Sequence, residues 1–314
     1  MRAVAVVEMG SAAQVIDVKT PTPEAGEIRV GLRAAGVNPV DGESAGGAYG
    51  QVELPFIPGI DGAGEVDMLG EGSTAFAPGD RVFGRLGRSG HGTYAEYVVV
   101  PESGVIARIP AGLEFRAAAA LPVAGLTALG VLRGLDFPLG ARLLVVGATG
   151  GVGSFLVQLA VRAGLEVVAT ARTEYAERMR GFGAAATIDH SSPLALREQM
   201  SQMGMIQLGG LADLVGDRQL VADLAALVRP GGRVVSTAGG VDPARLAAQQ
   251  INGSNFRGAS TAAMLEELGS MAASGDIEVP IEREVRMDDA PQVLQESRSG
   301  HLHGKTVLLI GQDA

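Results

Sequence analysis

The segment LLVVGATGGVGS (143–154) sets an apolar run against a glycine-rich turn, followed by a stretch of helical period. Glycines in such a turn let the backbone come close to a ligand. The first turn of the following helix offers N–H groups that have no partner of their own. Together they form a place for phosphate oxygens. Against the pattern G-x-G-x-x-G, Ala148 replaces the first glycine, while Gly150 and Gly153 stand at the other two. An imperfect pattern is weak alone. Here an apolar strand precedes it, a helix follows, and a second strand comes at the spacing of a βαβ unit. The reading is a dinucleotide pyrophosphate held around Ala148, Thr149, Gly150, Gly151 and Val152. A tight strand-to-helix turn without ligand is the alternative.

The end of the next strand bears on which dinucleotide is held. It reads Val168-Ala169-Thr170-Ala171-Arg172-Thr173. An NAD site usually has a carboxylate there for the ribose hydroxyls. Ala171 stands at that place and Arg172 follows it. A guanidinium fork matches a phosphate, and a missing carboxylate removes repulsion. Thr170 and Arg172 therefore join the expected contacts, and NADP(H) is the expected cofactor. Arg178 is a second candidate, with a solvated helix face as its ordinary reading. Glu174 is close enough to keep NAD open.

The elements that must position these residues follow from the pattern of the whole chain. Up to about residue 115, short strands alternate with turns: RAVAVVEM, EIRVGLRAAGV, GAGEVDMLG, DRVFGRL and TYAEYVVV, punctuated by Gly, Pro and Asp. This is the pattern of a compact β domain. From Arg116 the chain turns Ala- and Leu-rich. Strands and helices then alternate, with strands expected at 142–146, 166–169, 186–188 and 233–236. Helices are expected at 153–163, 174–181 and 219–228. Apolar strands alternating with helices indicate a parallel sheet covered on both faces. The closing strand KTVLLI (305–310), with no helix after it, suits a return to the first domain. The fold class is α/β.

Composition narrows the partners. The chain has 314 residues, 46% of them hydrophobic, which is enough for two folded domains. Its formal charge of −10 argues against nucleic acid and against an anionic membrane surface. With no cysteine and four histidines, disulfides and Cys-based zinc are excluded and little remains for a His-based metal site. The opening MRAVAVVEMG does not read as a signal peptide. No apolar run reaches the roughly 18 residues of a membrane span. A cytoplasmic location is expected.

In order along nearly the whole chain stand AAGVNPVDG (34–42), PGIDGAGEV (58–66), PGDRVFG (78–84), GTYAEYVVVP (92–101), AAALPVAGLTAL (118–129), the glycine turn and HGKTVLLI (303–310). Through this series the chain resembles the zinc-independent quinone oxidoreductase branch of the medium-chain dehydrogenase/reductase superfamily. The resemblance implies a GroES-like β domain from residues 1–117 and 259–314, with a Rossmann NADP-binding domain inserted at 118–258. It implies an active site in the cleft between them, and commonly a homodimer. Zinc-dependent relatives carry a Cys ligand where this chain has Asn38, and a His ligand where it has Ile60. With both lost, no metal is expected. Without a Lewis acid an alcohol is hard to deprotonate. Hydride delivery to a quinone, or to the β-carbon of an α,β-unsaturated carbonyl, remains accessible.

Asn38, Tyr49 and Thr127 are the expected catalytic positions on this resemblance. The Asn38 amide would hold a carboxamide or a substrate carbonyl; its ordinary reading is an Asx turn before Pro39. Asp41 reads as a local hydrogen-bond anchor. Tyr49 would donate a proton or cover the nicotinamide, or it is an exposed loop residue and water is the donor. Thr127 would lie near the nicotinamide, or pack in a helix core. His190 would lie beside the adenosine and Asn255, with Arg257, would reach the cofactor from the far side. His91 reads as a loop residue. From about residue 200 to 218 the match degrades, with Gly216 inside the expected strand, which points to an altered substrate pocket. Three functions stay open: a reductase of quinones or activated enones, an enoyl reductase of polyketide or other specialised metabolism, and a non-catalytic NADP(H)-binding redox sensor.

Overall fold

The computed structural model describes residues 1–8, 10–48, 53–87, 91–135, 137–189, 196–258, 260–299 and 304–311. Tyr49 and His190 lie outside the described residues. The chain forms two compact units, Met1–Leu126 with Ser260–Ala314, and Thr127–Ala259.

The first unit opens with the antiparallel pair β1 (Arg2–Ala5) and β2 (Gln14–Asp17). β3 (Glu27–Val37) leads into the short helix α1 (Pro39–Ala45), then β4 (Asp61–Leu69), β5 (Arg81–Arg85), β6 (Tyr97–Pro101) and β7 (Ile106–Arg108). β3 coincides with the expected run EIRVGLRAAGV. Its first half alternates between buried and partly exposed side chains, as a strand with one covered face must, and its last four residues are all buried. The helices α2 (Phe115–Ala120) and α3 (Pro122–Leu135) come next, and the unit boundary falls within α3.

The second unit is a parallel sheet of β8 (Arg142–Val146), β9 (Glu166–Thr170), β10 (Ala186–Ile188), β11 (Leu208–Asp213), β12 (Val228–Ser236) and β13 (Asn252–Asn255). The helices α4 (Gly151–Arg162), α5 (Thr173–Gly181), α6 (Leu196–Gln202), α7 (Arg218–Ala225) and α8 (Pro243–Ala247) connect them. The strand order β10-β9-β8-β11-β12-β13 is that of two mononucleotide-binding halves joined at β8 and β11, the Rossmann order. β8 and β10 coincide with expectation; after Arg142, β8 is apolar throughout because a parallel strand at the centre of the sheet is buried on both faces.

The expected helix 219–228 is shorter. Asp217 caps it one residue earlier by accepting from Gln219 N and Leu220 N, it ends at Ala225, and Val228 already opens β12. Gly216 is not inside a strand. β11 runs LGGLAD, wholly buried, and Gly216 lies past its end at φ +91°, a left-handed conformation suited to glycine. The strand admits Gly210 because the Phe137 ring packs where a Cβ would stand.

The chain then returns to the first unit with α9 (Ala262–Ser274), β14 (Ile281–Arg286), α10 (Ala290–Arg298) and β15 (Lys305–Leu309). β15 pairs antiparallel with β3, Thr306 opposite Val37, and β3 pairs antiparallel with β4, Gly36 opposite Asp61. Their buried side chains, among them Val30, Leu32, Val66, Leu86 and Leu308, form this unit's core. No helix among the described residues is long and apolar enough to cross a membrane.

Candidate functional site

In the second unit, β8 delivers the chain into Gly147, whose φ of +81° turns it sharply. A Cβ there would stand 3.0 Å from Val215 Cγ2. Gly147 N donates to Thr170 Oγ1 at 2.9 Å, so Thr170, at the end of β9, holds the turn in place. Gly150 then occupies the N-cap of α4, with no side chain to cap it. The first turn of α4 therefore has no side-chain cap among the described residues, and the helix dipole favours an anion there. A Cβ on Gly153 would come within 2.6 Å of Ala148 Cα; the glycine lets helix and turn pack closely. Ala148 is fully buried, so its side chain shapes the turn from behind.

Arg172 is exposed, at the N-cap position of α5. Arg178, one face along, brings Nη2 to 3.4 Å from Thr149 O and stacks over Tyr175. Both arginines thus belong to the elements around the turn. Asn255 has both ends of its amide on Val241, accepting from N at 3.2 Å and donating to O at 3.0 Å, which ties down the loop before α8. Arg257 is exposed and Thr127 half-buried. The segment of residues 200–218 divides. Val215 and Leu214 lie against Gly147, beyond the carboxyl end of β11. Ile206 and Gln207 precede that strand and lie at its opposite end.

In the first unit, three neighbouring strand ends meet. Asn38 follows β3, Asp61 opens β4 and Lys305 opens β15. Asn38 Nδ2 donates to Asp61 Oδ2 at 2.9 Å. Lys305 Nζ donates to Asn38 Oδ1 at 2.9 Å, to Val37 O at 3.2 Å and to Asp61 Oδ2 at 3.3 Å. Asp61 Oδ1 accepts from Val123 N at 3.0 Å, in the first turn of α3. Burial pushes the Asp61 carboxyl up from its usual range, while the Lys305 ammonium and the amide donors pull it back.

Asp41 takes the anchoring place expected of it. Its Oδ2 accepts from Asn38 N at 2.8 Å and from Tyr94 OH at 3.2 Å. Its Oδ1 is buried with no hydrogen bond. Burial raises Asp41 to about 7, with the Asn38 N–H opposing, and burial beside Asp41 raises the Tyr94 phenol well above its ordinary value. Asn38, Asp41, Asp61, Tyr94 and Lys305 are all buried, Asn38 the least completely. Sequence reasoning missed Lys305 and Tyr94. The signal was a lysine opening the mostly apolar strand KTVLL. His91 lies apart, exposed, in a groove with Glu53 and Tyr97.

Residues 24–111 match the family described as alcohol dehydrogenase GroES-like domain, and residues 182–308 that described as zinc-binding dehydrogenase. The quinone oxidoreductase of Lama guanicoe is 34% identical over 75% of this chain and 72% of its own length. The chloroplastic NADPH-dependent alkenal/one oxidoreductase of Arabidopsis thaliana is 30% identical over 93% of this chain and 74% of its own. Pikromycin polyketide synthase component PikAII of Streptomyces venezuelae is 39% identical over 70% of this chain, which spans only 6% of that protein. A mycobacterial structure complexed with NADPH has a TM-score of 0.84 at 29% identity, covering 99% of this chain and 100% of its own. Fold and relatives together define an oxidoreductase. The chain belongs to the quinone oxidoreductase branch of the medium-chain dehydrogenase/reductase superfamily.

The zinc in one family description does not fit the residues here. Ile60 offers no ligand atom. The oxygens of Asn38 and Asp61 already surround a cation of the chain's own, Lys305 Nζ. Among the described residues no three His, Cys, Asp or Glu side chains gather as a metal group.

Proposed function

We propose that the chain is an NADPH-dependent, zinc-independent reductase of quinones or α,β-unsaturated carbonyls, acting as a cytoplasmic homodimer. The observation that carries this reading is the uncapped start of α4 behind Gly150, with Arg172 rather than a carboxylate following β9. The NADPH named for the Arabidopsis relative and the mycobacterial structure supports it. Bound reduced nicotinamide supplies a hydride from C4. The chain's part is to hold the pyrophosphate at the glycine turn, to meet the 2′-phosphate with arginine, and to keep water from the acceptor. A quinone takes the hydride and one proton to become a hydroquinone. An enone takes hydride at the β-carbon and a proton at the α-carbon. The proton comes from solvent or from Tyr49.

The test is NADPH oxidation followed by absorbance against a panel of quinones and enones, with NADH in parallel. Turnover with NADPH preferred is expected. Binding without turnover on every acceptor overturns the reductase reading in favour of a redox sensor. The resemblance to PikAII favours a second reading, an enoyl reductase of specialised metabolism, which acyl thioester enones in the same panel separate from quinone reduction.

A further inference from the structure

Asn38 has an amide whose orientation the surrounding charges leave no freedom to reverse. An ammonium only donates hydrogen bonds and a carboxylate only accepts them. With Lys305 Nζ 2.9 Å from one end of the amide and Asp61 Oδ2 2.9 Å from the other, only one of its two flipped states satisfies both. We propose that Lys305 and Asp61 are positioning residues that clamp Asn38 so its remaining amide N–H serves as the donor to a ligand carbonyl or quinone oxygen. This rests on the reductase reading above and adds the residues that set its carbonyl recognition.

Three further observations support the clamp. The ammonium has three N–H donors, and it meets three acceptors: Val37 O, Asn38 Oδ1 and Asp61 Oδ2. A planar guanidinium cannot aim three donors from one atom in that pyramidal arrangement. The chain otherwise shuns lysine: Lys19 and Lys305 are the only two among 25 basic Lys and Arg residues. Lys305 is buried and its three donors are all taken, so it acts through Asn38 and not on a ligand directly. Finally, the cation acts across the amide. A cation at Oδ1 draws electron density toward the oxygen and strengthens the N–H donors across the amide, while the anion takes one of them. The second N–H keeps what Lys305 confers while the amide stays neutral.

The test combines a spectroscopic and a kinetic measurement. In protein with ¹⁵N-labelled asparagine, Asn38→Ala identifies the Asn38 side-chain signal. Its two N–H protons are expected to be widely separated and slow to exchange in the parent, and to lose both properties in Lys305→Met. Kinetically, Lys305→Met is expected to lower kcat/KM for quinone or enone by about tenfold, the scale of one weakened hydrogen bond at the acceptor, with NADPH affinity unchanged. In an Asn38→Ala background the same substitution is expected to have no kinetic effect. Should Lys305→Met fail to fold, Lys305→Met with Asp61→Leu removes both charges and is measured in its place. An equal loss with and without Asn38 overturns the clamp while leaving the reductase standing. A parent protein that binds NADPH and reduces no quinone or enone overturns both.

Discussion

Lys305 Nζ lies 3.3 Å from Asp61 Oδ2, and both side chains are removed from water. The pair joins β15 to β4 across the end of β3, so its two members are 244 residues apart in sequence. Breaking a buried pair leaves one charge without compensation, at a cost of about 3–5 kcal/mol. Lys305→Met and Asp61→Leu are each expected to lose stability of that order in urea unfolding. The double variant is expected to be more stable than either single one. Single variants as stable as the parent would show that the pair is not coupled in the folded state.

Asp41 makes stability depend on pH in a direction opposite to an ordinary paired carboxylate. Its folded pKa of about 7 lies above the usual aspartate value of 3.8. Between these values the folded chain binds more protons than the unfolded one, so stability falls as pH rises from about 4 to about 7 and is level beyond. The full effect is on the order of 4 kcal/mol. Asp41→Asn keeps an oxygen for the Asn38 N–H and the Tyr94 hydroxyl, and removes the titration. Its unfolding free energy is expected to lose that decline across the same window, measured by denaturant titration at several pH values. A parent and variant with parallel pH profiles would rule Asp41 out as the source.

The legibility of these features in the sequence followed the range of the interactions that build them. β3 alternates and then runs apolar, and β8 is apolar throughout; both patterns are local and could be read directly. The glycine turn was legible for the same reason. Asn38 was found by the run AAGVNPVDG, but its partners were not. A lysine at the start of a strand ordinarily reads as a charge reaching for solvent, and only the pairing of β15 with β3 turns Lys305 inward. Asn255 was placed by the resemblance, and its two hydrogen bonds to Val241, set by the loop between β12 and α8, were equally beyond a local reading. Gly216 was set inside a strand by the resemblance alone; the strand itself, LGGLAD, ends at Asp213 and could not correct it, since it carries two glycines and lacks the branched side chains that announce a strand.

Two glycines of the turn are expected to fail in different ways. A Cβ on Gly150 would meet only Gly147 O, at 3.4 Å, an ordinary contact. Gly150→Ala should therefore fold with stability within about 0.5 kcal/mol of the parent, while its methyl crowds the open start of α4. NADPH affinity, measured by fluorescence titration, is expected to fall at least about tenfold. Gly153→Ala places a methyl 2.6 Å from Ala148 Cα, which forces helix and turn apart at about 1–3 kcal/mol. It should lose stability and binding together. Equal behaviour of the two variants would contradict the division between a ligand face and a packing face.

Arg172 and Arg178 are separated by what else each one touches. Arg172 is exposed beyond β9, whereas Arg178 also donates to Thr149 O within the glycine turn. A hydrogen bond to a charged group contributes about 1.5–3 kcal/mol, or roughly ten- to over one-hundredfold in affinity. Arg172→Ala is expected to weaken NADPH binding on that scale and to leave NADH binding unchanged, because its only ligand would be the 2′-phosphate. Arg178→Ala is expected to weaken both cofactors, since it also loosens the turn that holds the shared pyrophosphate. Paired titrations of the two variants with NADPH and NADH check this. An unchanged NADPH affinity in Arg172→Ala would move the 2′-phosphate contact off that residue. A loss confined to NADPH in Arg178→Ala would move the contact onto Arg178, with the bond to Thr149 then of little account for the turn.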